Sequence, residues 1–398
     1  MENITKNAVN AIRVLSMDGV QQANSGHPGL PLGAAPMAYE LWAHHLKHNP
    51  KNPQWTNRDR FILSAGHGSM LIYSLLHLFG YDLPIEELKN FRQWNSKTPG
   101  HPEFRHTVGV ETTTGPLGAG LSNAVGMAMA EAHLASIFNR PGYPVVDHYT
   151  YAIAGDGCMM EGVASEAMSL AGHLGLGKLI VLYDSNRITI EGSTDLAFSE
   201  NVEKRFESYG FQVIEVADGN RLSKIARAIE QAKEESDRPT LITIKTEIGF
   251  GSPKQGSEKA HGEPLGLENI TKTRQTLEWD ESEPFKISDE IYAHFDQLAL
   301  RGDAQEKEHQ TLVENYRKEY PELAKLWEEY NRDIPLEELV NNESYWEHED
   351  KAIATRSISG TILNKLKEDY PQLIGGSADL APSTKTEMVN EGSFQKES

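Results

Sequence analysis

Two polar turns, Gly155-Asp156-Gly157 and Asp184-Ser185-Asn186, each follow an apolar run, Tyr149 to Ala154 and Leu179 to Tyr183. Short apolar runs that stop at glycine and polar residues predict buried strands. Between them Val163, Ala167, Leu170, Ala171 and Leu174 fall at helical spacing, which predicts an amphipathic helix. Such a strand–loop–helix–strand–loop unit places both turns at the carboxyl edge of a parallel sheet, where ligands bind. There Asp156, Asn186 and a nearby backbone carbonyl can hold a hard divalent cation by oxygen alone, with its other positions left to water or phosphate. The unit reads as a site for a metal-bound diphosphate. Taken alone, Asp156 reads equally well as the cap of the following helix; the paired Asn186 favours the metal.

The pattern continues on both sides. Residues 1 to about 260 alternate helix and strand signals. Phe211 to Val216 and Leu241 to Thr246 are strand candidates. The helix between them has Leu222, Ile225, Ala226, Ile229 and Ala232 on one face. Alternation of this kind predicts an α/β fold, a parallel sheet covered by helices on both faces. Gly249 to Gly266, rich in Gly, Pro, Ser and Lys, predicts a surface loop, and it carries His261. Charged and aromatic residues dominate from about 270 to 350, which predicts solvated helices. A third region opens at Lys351, with a helix expected over Ala352 to Leu366 and a strand over Leu373 to Ser377. The expected division is therefore 1–270, the diphosphate- and metal-binding α/β domain; 271–350, a charged helical linker; and 351–398, the incomplete start of a second α/β domain.

An anionic ligand must overcome the field of a chain with a net charge of -20. That charge argues against nucleic acid and anionic membranes as partners. Such a ligand would need a local cluster of donors. The single cysteine, Cys158, excludes an intrachain disulfide framework and fits a reducing compartment. The N-terminus has no signal-peptide pattern, and no run approaches the roughly 18 apolar residues of a membrane helix. A soluble cytoplasmic protein is expected.

Gly115 to Gly120 precedes a helical pattern with Leu121, Ala124, Val125, Ala128 and Ala132 on one side. Glycines admit close backbone approach and a helix N-terminus favours anions, although most such loops are simple turns. His27, His67, His101 and His261 lie on glycine- or proline-flanked loops, where histidine can donate to phosphate and transfer protons near neutral pH. Any one of them alone reads more naturally as a structural histidine. His44 and His48, four apart on an expected helix, read as solvated surface residues because nothing supplies a third metal ligand. The run Gly172 to Lys178 nearly spells a phosphate-binding loop. It carries Leu179 where Ser or Thr would hold Mg²⁺, and it leads into a strand. Cys158 reads as a small core residue.

These motifs stand in the order found in transketolases, and the chain resembles that family over nearly its whole length. The series is Ser25-Gly26-His27-Pro28-Gly29, Ser64-Ala65-Gly66-His67-Gly68, Gly100-His101-Pro102-Glu103 and Thr114-Gly115-Pro116-Leu117-Gly118. Gly155 to Gly162, His261-Gly262, Arg356 and Ser377-Ala378-Asp379-Leu380 complete it. The resemblance implies thiamine diphosphate with one Mg²⁺ or Ca²⁺ per site, and transfer of a two-carbon ketol unit between sugar phosphates such as xylulose 5-phosphate and ribose 5-phosphate. Metal ligation falls to Asp156, Asn186 and the carbonyl of Ile188. Cofactor contacts fall to His67, Gly115, Leu117, Gly157, Asn186, Ile190 and His261. His27, His101 and His261 take catalytic and sugar-binding roles, and Arg356, Asp379 and Ser383 hold substrate. Arg356 alone would read as a surface charge, though its fork of donors suits phosphate. Glu161 and Glu166, otherwise ordinary helix acids, join a carboxylate network across a homodimer interface. The family's activating glutamate has no counterpart in these residues, so little or no turnover is expected of them alone. Two alternatives stay open: a non-catalytic thiamine-diphosphate-binding subunit, and a related enzyme such as a dihydroxyacetone synthase or deoxyxylulose-phosphate synthase.

Overall fold

The computed structural model describes residues 2–377 and 379–397; Ala378 of the Ser377–Leu380 motif lies outside the described residues. The chain divides into two compact units, Met1–Thr311 and Leu312–Ser398. The first opens with α1 (Glu2–Ala23), α2 (Gly29–Glu40), β1 (Arg60–Leu63), α3 (Met70–Leu78), α4 (Ile85–Lys89) and α5 (Ala119–Phe138). Then come β2 (Thr150–Gly155), α6 (Asp156–Met160), α7 (Gly162–Leu174) and β3 (Leu179–Ser185). It continues through α8 (Val202–Tyr209), β4 (Gln212–Val216), α9 (Leu222–Lys233), β5 (Thr240–Lys245) and α10 (Leu267–Thr276). Helix α11 (Asp289–Glu319) spans the boundary between the units.

All strand pairs are parallel, in the order β1-β2-β3-β5-β4. Strand β2 is wholly buried and β3 nearly so, as expected of central strands covered on both faces. Helices α5 and α7 pack together, with α5 against β1 and β2; α9 packs against β4 and β5 and against α2. The expected parallel sheet is present. Strand β1, four residues without alternation, carried no sequence signal of its own.

Three local expectations are corrected. Helix α7 buries Ala164, Met168, Ala171 and Leu174, while Val163 and Leu170 are each 44% exposed. The buried face is thus rotated from the one expected, because the row through Ala164, Met168 and Ala171 is the one that closes on its neighbours. His48 is not solvated: the helical turn ends at His45, and His48 is 5% exposed. The segment from Gly249 to Gly266 is not purely surface, since Ser252, Ala260 and Leu265 are buried.

The second unit holds α12 (Pro321–Tyr330), α13 (Leu336–Val340), α14 (Glu343–Trp346), α15 (Thr355–Asp369) and α16 (Ala381–Thr384). Tyr345 donates to Asp369 at 2.5 Å, tying α14 to α15. Residues 373–377 form no strand, contrary to expectation: an extended segment needs a neighbour to take up its backbone hydrogen bonds. No described helix is long and apolar enough to cross a membrane.

Candidate functional site

The site forms where the strands end. Gly155 pairs with Asp184, so the residues after β2 and the last residues of β3 meet at one edge. Asp156, 4% exposed, accepts from the Tyr183 hydroxyl at 2.5 Å on Oδ1, and from the N–H groups of Asn186 (3.2 Å) and Arg187 (2.9 Å) on Oδ2. Asn186 donates from Nδ2 to Asp184 Oδ2 at 2.9 Å and accepts from the Ile188 N–H at 3.0 Å. Thr246 donates to the other oxygen of Asp184. Burial raises the pKa of Asp156, against the pull of these donors. It pushes the fully buried Asp184 up to about 7, helped by the Asp156 charge. Neither carboxylate has a cationic side-chain partner among the described residues; the nearby Arg187 pairs with Asp195 instead. Two buried acids that share no cation make a site that a divalent ion would neutralise. No cluster of three His, Cys, Asp or Glu is present among the described residues, and the oxygens that could hold an ion here are the Asp156 carboxylate, the Asn186 amide and backbone carbonyls.

Opposite this edge stand the histidines. His67 sits in a tight turn after β1, His27 precedes α2, and His261 follows a short turn at Glu258–Ala260. Their rings touch: His27 and His67 are 5.1 Å apart, His27 and His261 5.7 Å, and His67 and His261 stack at 5.0 Å. His101 lines the same cavity. Burial, then neighbouring positive groups, pushes His27 down to about 4 and His67 well below its ordinary value. Burial lowers His101 and His261 as well. All four rings are therefore neutral at pH 7, each able to donate at one nitrogen and accept at the other. Nδ1 of His27, Nδ1 of His261 and the Thr114 hydroxyl find no partner among the described residues.

Glycines shape the walls. A side chain at Gly66 would lie 2.5 Å from Thr114 Oγ1 and 2.8 Å from Gly115 N, so the His67 turn needs none. Gly157 lets Leu117 close over the start of α6, since a Cβ there would stand 2.8 Å from Leu117 Cδ1. Gly118, at φ 79°, opens α5 in the left-handed conformation that glycine permits.

The cavity so enclosed measures about 380 Å³. It gathers His27, His67, His101, His261, Gly115, Leu117, Asp156, Gly157, Asn186, Ile188, Ile190 and Glu161. Glu166 is exposed on α7 and does not line it. Arg356, Asp379 and Ser383 belong to the second unit and are exposed there. Sequence reasoning missed Tyr183, Asp184 and Thr246, which brace the acidic edge, and the apolar wall of Leu30 and Ile248. Only strand register reveals the first group, and no local pattern marks the second. Cys158 is fully buried and accepts from Ser64 Oγ at 3.4 Å, a core residue as expected.

The family profile described as "Transketolase, thiamine diphosphate binding domain" matches residues 4–335. Transketolase of Halalkalibacterium halodurans is 54% identical over 398 residues, covering 100% of this chain and 59% of that protein. A transketolase of Pichia stipitis, solved in complex with sedoheptulose 7-phosphate, superposes with a TM-score of 0.92 at 43% identity, covering 98% of this chain and 58% of that one. The transketolase of Leishmania mexicana gives 0.92 at 45% identity, over 99% of this chain and 59% of that one. The chain thus spans somewhat over half the length of the relatives it matches.

Proposed function

The chain belongs to the transketolase family, and from that premise we propose that it carries the diphosphate-binding half of a site for two-carbon ketol transfer. The donor is a ketose phosphate and the acceptor an aldose phosphate, xylulose 5-phosphate and ribose 5-phosphate among them. Thiamine diphosphate, when bound, would supply a thiazolium carbon able to add to the ketose carbonyl and take up the electron pair released on cleavage.

The residues divide the remaining work. Asp156, Asn186 and the carbonyl of Ile188 would hold Mg²⁺ or Ca²⁺, whose charge would offset that of the diphosphate against the acidic chain. Gly157, His67 and His261 meet the diphosphate, while Gly115, Leu117 and Ile190 form the walls for its rings. His27, His101 and His261 donate to sugar oxygens as negative charge develops and move protons there; their neutrality at pH 7 suits both acts. Arg356, Asp379 and Ser383 are assigned to the substrate's phosphate and hydroxyls on family resemblance. Glu161 and Glu166 join a carboxylate network between two copies of the chain, beside the exposed Val163 and Leu170 of α7. The division into 1–270, 271–350 and 351–398 belongs to the same reading, as does a cytoplasmic location.

One observation carries the proposal: the buried carboxylate of Asp156, without a cationic partner and backed by Asp184 at the adjoining strand end, faces a cavity lined by four neutral histidines. Titration calorimetry with thiamine diphosphate and Mg²⁺ tests it. Asp156→Ala is expected to weaken binding beyond the roughly 10–100-fold cost of losing an outer partner of a metal site. Binding that ignores Mg²⁺, or ignores this substitution, would defeat the assignment.

A further inference from the structure

A second cavity of about 600 Å³ lies between α1, α2 and the start of α9, and it shares no lining residue with the first. Arg13 lines it at 5% exposure. Its guanidinium donates to Leu32 O (2.9 Å), Asn10 Oδ1 (3.0 Å) and Asn220 Oδ1 (2.9 Å), and it lies 4.3 Å from the centre of the Phe250 ring. Every one of these partners is neutral. No carboxylate among the described residues forms an ion pair with it, and burial pushes its pKa down to about 9, so it stays charged at pH 7. A buried charge without a counter-charge is costly. Uncharged acceptors orient the group without cancelling it.

The second observation is independent. Helix α9, twelve residues long, begins at this cavity with no side-chain cap. The N–H groups of Leu222 and Ser223 in its first turn have no acceptor among the described residues. A helix start offers free donors and partial positive charge. Lys6 also lines the cavity, although Glu278 pairs with it, and Arg221 there pairs with Asp218. Val9, Leu222, Phe250 and Leu277 add an apolar stretch of wall, with Thr5 and Thr276 beside it.

We propose that this cavity is a second binding site, for a small phosphomonoester with an apolar or aromatic body. The phosphate meets Arg13 and the first turn of α9, and the body lies against Phe250 and Leu277. On a chain of net charge -20, such a pocket is a local exception to a field that otherwise repels anions.

Phenyl phosphate is the probe, titrated into the full chain and followed by calorimetry and by backbone amide shifts of Ser223 and Phe250. Two variants accompany it. Arg13→Met removes the charge. Ser223→Asp places a carboxylate in the first turn, where it favours the helix while repelling the probe, so it reports even if the first variant fails to fold. The expected result is saturable binding with shifts at Ser223 and Phe250, weakened at least about tenfold by Ser223→Asp. No saturable binding, or binding that leaves these amides unmoved and tolerates Ser223→Asp, overturns the proposal. The second outcome would place the probe in the first cavity. Neither depends on whether thiamine diphosphate binds, so the two readings fail separately.

Discussion

His48 Nδ1 lies 3.0 Å from the Tyr81 hydroxyl, and the two rings stack at 5.9 Å. Burial pushes this histidine down to about 3. In the unfolded chain it titrates near 6.5. Below that pH the unfolded state takes up a proton that the folded state refuses until about pH 3. The stability owed to neutral His48 is therefore complete above about 6.5 and lost as pH falls towards 3. Relative to wild type, His48→Gln is expected to recover roughly 2 kcal/mol of its deficit between pH 7 and pH 5. Urea midpoints of the two proteins across that range check it; a constant gap would contradict the assigned burial. The same residue shows where sequence reading stops. Spacing put His48 on a helix face, but the helical turn ends at His45 and a tyrosine distant in sequence covers the ring. Asp156 and Asn186 were legible because their turns close apolar runs. Tyr183 closes the apolar run and reads as a strand residue, and Asp184 opens the polar turn with nothing local to give it a role. Their bonds to Asp156 and Asn186 exist only in the assembled sheet.

Among the elements, α7 and the turn after it explain the glycines that imitate a phosphate loop. A Cβ at Gly172 would lie 1.8 Å from Tyr209 O, and one at Gly177 would lie 2.0 Å from Ser236 O. Gly175, at φ 63°, ends α7 in the left-handed conformation. These glycines serve close backbone packing, not an anion. Since the obstacle at Gly172 is backbone rather than a yielding side-chain tip, Gly172→Ala is expected to cost about 1–3 kcal/mol by separating α7 from α8. Thermal and urea unfolding measure this, and an unchanged midpoint would refute the packing account. The strands from β2 to β5 were legible to within a residue or two at their ends. Strand β1 escaped because four residues are too few to show a period, and the strand expected at 373–377 failed because one extended run finds no pairing partner by itself.

For the molecule as a whole, α7 leaves apolar side chains in water. Val163 and Leu170 are each 44% exposed beside the acids Glu161 and Glu166. If a second copy covers this face, Leu170→Glu should shift the chain towards monomer in sedimentation velocity and lower its unfolding midpoint by the stabilisation that association supplied. A sedimentation profile identical to wild type would place the interface elsewhere. The sheet sets a further condition on the whole. Side chains alternate along a strand, so sliding β2 by one residue against β3 would carry Asp156 out of step with Tyr183 and Asn186. A change of phase at the strand tips would therefore dismantle the site. The ladder of backbone bonds thus serves as a ruler for chemistry built beyond its last rung.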